Sequence, residues 1–257
     1  MASPKVFQLS AEALGTEFVT IHVGPKRKTF AVHKKLLCDR SEYFSKAFNS
    51  GFKESTESVM YLPEDDANAF DSMIVYIYRD QLPVFPNTSY SQGCSGAQQF
   101  AFDVLYRLFT FAEKICMNDL ANRVMDKIQD LGMEYWSAPT LPHVRSLYSL
   151  TGPGSKLRIY CTLMRLYRVN ACDYDDYWTT TADAIENEEQ LEDFIKEHPD
   201  FAVDYMRFHW RFSNKFLTED TPDSQIRSDK DGFGRCFFHT HAKGEECHPG
   251  PLTEEDD

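Results

Sequence analysis

The sequence has no apolar run near the ~20 residues that a membrane-crossing helix requires. Its first residues also lack the apolar stretch of a secretory leader. Both absences point to a cytoplasmic or nuclear protein without a membrane partner. Positive charge is scarce too: 27 Lys and Arg stand against 40 Asp and Glu, for a net charge of −13. A chain of that sign repels polyphosphate, so nucleic acid is not an expected partner. Enzyme signatures are missing as well. There is no His-Glu-x-x-His helix, no phosphate-cradling glycine loop, no dinucleotide fingerprint and no Gly-x-Ser-x-Gly elbow. No catalytic residue is assigned, and the reading is non-enzymatic.

What the chain has is core material. Of 257 residues, 42% are hydrophobic and 14% aromatic, enough for one large domain or two small ones. The seven cysteines are odd in number and scattered, which does not resemble a disulfide framework. Cys38, Cys116 and Cys161 lie in apolar segments and read as buried free thiols.

Phe18–Val23 is dense in β-branched and aromatic residues and predicts a strand. Gly24-Pro25 and Lys26-Arg27-Lys28 make a turn with a solvated tip, and Thr29–Val32 returns as a second strand. Leu36, Leu37, Tyr43, Phe44, Ala47 and Phe48 suit two short helices, with Ser41 capping the second. A short strand over Ser58–Leu62 ends at Pro63. Asp65 or Asp66 then caps a helix striped by Phe70, Met73, Ile74 and Ile77. Residues 83–99 read as a loop. Helices follow through Leu105–Ile115 and Asn118–Leu131.

The second half reads as helical. A helix after Thr151-Gly-Pro-Gly-Ser155 places Leu157, Tyr160, Cys161, Met164 and Tyr167 on one face, with Lys156, Arg158, Arg165 and Arg168 beside them. Asn187 and Gln190 form a capping-box pattern, and Pro199 fits the first turn of a further helix. That helix carries an aromatic stripe of Phe201, Tyr205, Phe208 and Phe212, read as core packing. The expected divisions are an N-terminal arm (1–14), an α+β domain (15–131), an all-helical extension (132–217) and a polar acidic tail (218–257).

The tail carries one cluster of metal-ligand types: Cys236, His239, His241, Cys247 and His248. Thiolates and imidazoles are the ligands of structural zinc, and a tail with little core gains folding energy from such an ion. Cys236, His241 and Cys247 are the first choices, with His239 or His248 as the fourth. The other reading is a mobile tail with incidental Cys and His residues.

The segment from Thr29 to Phe48 resembles the BTB/POZ domain on the succession His33, Leu37, Ser41, Tyr43 and Phe44. The resemblance continues through Phe52–Glu54, Val59–Leu62, Phe70–Tyr78 and Leu105–Leu120. It implies a fold of short strands with clustered helices. The family usually places an Asp before the first strand, where this chain has Glu17, which leaves a pairing of that carboxylate with His33 open. Thr151–Arg158 and His198–Phe201 are similar to the helical extension of fungal BTB proteins.

The resemblance implies a protein-interaction adaptor that forms a homodimer. Val6, Phe7, Leu9 and Leu14 are the candidate seam. It also implies a partner surface for the cullin scaffold of a ubiquitin ligase. The candidate contacts there are Phe52 and Glu54, supported by Phe48, Tyr106, Tyr43 and Tyr61, and the alternative for these four is core packing. Phe201, Tyr205 and Trp210 are candidates for holding a substrate. The alternatives are an oligomeric or transcription-related scaffold without a ligase partner, and a metal-dependent enzyme.

Overall fold

The structure is a computed structural model that describes residues 9–85, 96–135, 139–171, 188–216 and 222–247. The chain divides into two compact units. The first takes Met1–Asn87 and Phe100–Val124, and the second takes Thr88–Gln99 and Met125–Asp257.

In the first unit a short helix, α1 (Ala11–Leu14), precedes strands β1 (Phe18–Val23) and β2 (Lys28–His33). Helices α2 (Lys34–Arg40), α3 (Glu42–Asn49) and α4 (Lys53–Glu57) lead to β3 (Val59–Leu62) and α5 (Ala67–Arg79). The sheet order is β2-β1-β3. β1 pairs with β2 antiparallel (Ile21 opposite Phe30) and with β3 in parallel (Ile21 opposite Met60). Side chains alternate across a strand. This register therefore puts Val19, Ile21, Val23, Val32, Met60 and Leu62 on the buried face, and Phe18, Thr20, His22 and Tyr61 on the other.

Helices α6 (Gly96–Lys114) and α7 (Asn118–Tyr135) follow. Phe70 of α5 is the centre of the first core. Its ring lies 4.7 Å from Phe30, 6.4 Å from Phe44 and 5.8 Å from Phe111. Tilted and edge-on pairs of this kind add modestly to the area they bury. Asp66, not Asp65, caps α5, accepting from the amides of Asn68 and Ala69 at 2.9 Å each. Asp65 instead accepts from Lys114 Nζ at 2.7 Å.

The second unit contains α8 (Leu141–Leu150), α9 (Lys156–Ala171), α10 (Glu188–Glu197), α11 (Pro199–Arg211) and α12 (Ser213–Phe216). Tyr148, Phe194 and Phe201 form its aromatic centre, with ring separations of 6.0, 5.5 and 4.7 Å. Pro199 occupies the first turn of α11, where a missing N–H costs nothing. Asn187, the expected cap of α10, lies outside the described residues.

Two features go beyond the sequence reading. Arg158, beside the apolar face of α9, is itself buried; its side chain is 4% exposed. Its Nη2 donates to the carbonyl of Tyr148 at 2.7 Å and to that of Thr151, its Nε to Thr151 Oγ1 at 2.8 Å, and its Nη1 to Asp200. The guanidinium thereby satisfies carbonyls that the end of α8 leaves without helical partners.

Residues 222–247 are also more than a polar appendage. Phe233, Phe237 and Phe238 pack together, and Phe238 meets Tyr160 edge-on at 5.5 Å. Gln129 of α7 donates to the Ser224 carbonyl at 2.7 Å, and Lys156 of α9 to that of Phe237 at 2.7 Å. The segment has no helical or strand periodicity to read, yet it carries enough aromatic surface to bury.

Candidate interaction surface and metal centre

Gly51 takes a left-handed conformation (φ +80°) at the end of α3 and turns the chain outward. Phe52 follows at the N-cap position of α4 with extended backbone, its side chain 62% exposed. Glu54 lies in the first turn of α4, where a carboxylate is favoured by the helix dipole. Tyr43 sits close by. Burial raises the Tyr43 phenol pKa, Lys114 opposes the rise, and the carboxylates of Asp65 and Glu54 add to it. The result is an aromatic anchor in solvent beside an acidic group and a neutral phenol. Such a surface suits a partner that offers an apolar pocket rimmed by a hydrogen-bond donor.

A second exposed aromatic lies on the open sheet face. Tyr61 stacks on His22 at 4.9 Å and lies 5.6 Å beneath the Arg27 guanidinium. His33 uses Nδ1 to bond Tyr78 Oη at 2.7 Å. Glu17 pairs with Lys34 at 3.4 Å. The family's acidic position is therefore on the surface in this chain, and His33 has a different partner.

In the second unit, Cys236, His239, His241 and Cys247 each turn one donor atom to a common point, all within 4.8 Å of one another. Two left-handed glycines shape the turns that bring them together: Gly234 (φ +86°) ahead of Cys236 and Gly244 (φ +84°) ahead of Cys247. His239 is buried. Its Nε2 lies 3.0 Å from Asp126 Oδ1, which can only accept, so Nε2 carries the proton. That leaves the Nδ1 lone pair facing Cys247 Sγ at 3.3 Å.

Both ring nitrogens of His241 are buried without a hydrogen-bond partner. Each buried, unsatisfied group of that kind costs about 1–3 kcal/mol. Burial, with Cys236 beside it, pushes the Cys247 thiol up to about 11. Zinc–sulfur and zinc–nitrogen bonds in a tetrahedron separate the donors by ~3.3–3.8 Å. The observed cluster needs only small adjustments to reach that. Its Cys2His2 donor set fits a structural zinc ion.

A family model for the BTB/POZ domain matches residues 16–114, from the approach to β1 to the end of α6. Residues 16–114 are a BTB/POZ domain. The match gives the chain a protein-interaction role and stops at the end of α6. A search of curated proteins finds no match.

Within the BTB unit, Phe52 and Glu54 reach solvent, but Phe48 and Tyr106 do not. Phe48 is buried on the Phe44 side of α3, and Tyr106 is buried beside Phe102. Of the two readings open for them, a supporting contact or core, both side chains take the core. Of the candidate seam, Leu9 is exposed and Leu14 half-buried, while Val6 and Phe7 lie outside the described residues. His248 also lies outside them.

Among the expected buried thiols, Cys161 is buried, Cys38 half-buried and Cys116 exposed. Cys116 sits at φ 55° in the turn before α7, which carries it outward. On α11, Phe201 is buried and Tyr205 partly so, while Trp210 is 85% exposed with Val203 and Met206 on the same side of the helix. Asp126 and Arg158 had no signal in the sequence. No helix among the described residues is long and apolar enough to cross a membrane.

Proposed function

We propose that this chain is a non-enzymatic adaptor that pairs with a second copy of itself through its BTB unit and presents Phe52 and Glu54 to a cullin scaffold. The observation that carries the reading is the placement of Phe52. A large aromatic side chain stands in solvent at the start of α4, in a domain that buries Phe44, Phe48, Phe70, Phe102, Phe109 and Phe111. Aromatic anchors of this kind dominate the energy of many interfaces. Glu54 beside it supplies a charge-assisted acceptor. The ridge of Val203, Met206 and Trp210 on α11 would serve a different partner, as a substrate-holding face requires.

The test is capture from native extract by the full chain and by a Phe52→Ala, Glu54→Ala variant, read by mass spectrometry. Oligomeric state is measured in parallel by light scattering. The expected result is a dimer in both cases, with a cullin retained by the wild type and reduced at least 30-fold in the variant, as loss of ~2 kcal/mol or more at an anchor requires. Equal partner lists without a cullin would exclude the ligase reading, and a monomeric wild type would exclude pairing.

A further inference from the structure

We infer that residues 222–247 are clamped onto α7 and α9 by a zinc ion held by Cys236, His239, His241 and Cys247, with Asp126 of α7 fixing His239 in the ligating orientation. Three independent observations converge. The first is the grouping of four soft and borderline donors within 4.8 Å. Two of these are thiols and two are imidazoles, the set that closed tetrahedral zinc sites use.

The second is the state of His241. Buried polar atoms without partners are rare, and an unseen ion is one of the few physical explanations for them. Both nitrogens of this ring are in that condition, and the ring lies 5.7 Å from His239. One of them completes a donor set whose other members already face it.

The third is Asp126. A metal-bound imidazole almost always donates its second N–H to a carboxylate or carbonyl, which fixes its tautomer and raises its basicity. Asp126 Oδ1 lies 3.0 Å from His239 Nε2. It is also held by Arg227, whose Nη1 lies 3.6 Å away and whose Nη2 reaches Asp130 at 2.6 Å. The carboxylate is thus anchored on a helix, and the histidine it orients belongs to a segment with no long regular element of its own.

The consequence is a fold linkage. Among the segment's attachments to the helices are Gln129 to Ser224, Arg227 to α7, Lys156 to Phe237, and the Tyr160–Phe238 ring contact. Past Phe238 the bond from His239 to Asp126 of α7 continues them, and that histidine belongs to the cluster. The four donors then tie Cys236, His239, His241 and Cys247 to one another. On zinc binding, two thiol protons leave to solvent and the thiolates join the ion; on removal the reverse occurs and the end of the clamp opens. The ion is closed in by four protein ligands, so its role is structural. This inference is independent of the BTB partner: a cullin result of either sign leaves it standing.

The experiment uses the full chain, purified without chelator. Elemental mass spectrometry is expected to find one zinc per chain, or one taken up after dialysis against zinc. Cobalt(II) in its place is expected to give the intense ligand-field bands of a tetrahedral ion and thiolate charge transfer. Absence of uptake, or the weak spectrum of an octahedral ion, would overturn the inference.

A strong chelator is expected to open Arg235 and Lys243 to trypsin at least 10-fold faster, with protection restored by zinc and helicity of the remaining chain retained. Unchanged cleavage would refute the clamp. Two variants separate the roles. His241→Ala is expected to abolish stoichiometric zinc. Asp126→Ala is expected to weaken zinc ~10–100-fold while keeping the tetrahedral cobalt spectrum, and Asp126→Asn to recover part of that loss. Zinc affinity unaltered by Asp126→Ala would refute its positioning role.

Discussion

Replacing Arg158 with Met keeps most of the side-chain volume and removes the guanidinium. Arg158 is nearly inaccessible, and its four donated bonds end on the Tyr148 carbonyl, the Thr151 carbonyl and hydroxyl, and Asp200. Asp200 is about half exposed, so it rehydrates when its partner goes and adds little to the loss. The buried Tyr148 carbonyl does not and costs about 1–3 kcal/mol when stranded, and the part-buried Thr151 carbonyl costs about 1 kcal/mol. The cation also sits 4.2 Å over the Tyr148 ring, worth about 1 kcal/mol more. The sum is about 3–5 kcal/mol, the range seen when one partner of a buried pair is removed. For a chain of this size that lowers Tm by roughly 6–20 °C. Thermal unfolding of the full chain measures the loss. Because the chain has two units and need not unfold in one step, hydrogen exchange of the α8 and α9 peptides assigns it to the second unit. Asp200→Asn is expected to cost less than about 1 kcal/mol. Arg158→Lys is expected to recover less than half, since one compact ammonium cannot reach four separate acceptors. A Tm within 2 °C of wild type for Arg158→Met would refute the assignment of the guanidinium as the cap of α8.

Two further substitutions test the packing. Ser41→Ala removes a hydroxyl that caps α3 and also donates to the Ile115 carbonyl at 3.0 Å; a loss of about 1–2 kcal/mol in urea denaturation is expected. Burial raises the Asp223 carboxyl above its ordinary 3.8, against a lowering bond from the Gln225 amide. The proton is thus held more tightly in the folded state, so the stability it contributes is full below the unfolded pKa and is lost as pH rises through the folded pKa. Asp223→Asn, which keeps the acceptor for Gln225, is expected to raise Tm at neutral pH, with a gain that shrinks as pH falls towards the ordinary carboxylate range. A gain independent of pH would exclude this origin.

The BTB unit was legible because its signals are local. The hairpin, the paired helices and the Ser41 cap each follow from residues a few positions apart, and their succession carried the family. The same local signal places Phe48 correctly: it stands four residues after Phe44, so both share the buried face of α3. Tyr106 likewise falls between Phe102 and Phe109 on one side of α6. The resemblance offered these two as supporting contacts or core, and their periodicity favours the core. The metal cluster was legible as composition, since its donors are close in sequence. Its orienting group was not, because Asp126 precedes His239 by 113 residues and no local pattern links them. The burial of Arg158 was not legible for a related reason. A charged residue between apolar neighbours on a helix reads as solvated, and its burial depends on acceptors that only the tertiary fold supplies. Helix α8 was missed although Leu141, Val144, Leu147 and Tyr148 are buried on one side of it; its two central turns are mixed with polar residues, and it is short.

Capping and packing are coupled in both units, which explains why single polar residues carry so much of the architecture. A helix leaves amides at its start and carbonyls at its end without intrahelical partners. Here those groups are often served from another element. Ser41 accepts from the Phe44 amide at the start of α3 and donates to the Ile115 carbonyl just past the end of α6. One hydroxyl therefore closes two helix termini and holds them in register, which is a physical reason for a serine at that position of the BTB motif. Arg158 does the same in the second unit, joining the end of α8 to the start of α11 through Asp200, which lies in the first turn of that helix. A threonine could in principle replace Ser41, because its added methyl alone would be at issue; a lysine cannot replace Arg158, because the acceptors lie in different directions. The two positions should therefore tolerate conservative change to different degrees, with Ser41 limited by space and Arg158 by the number of donors.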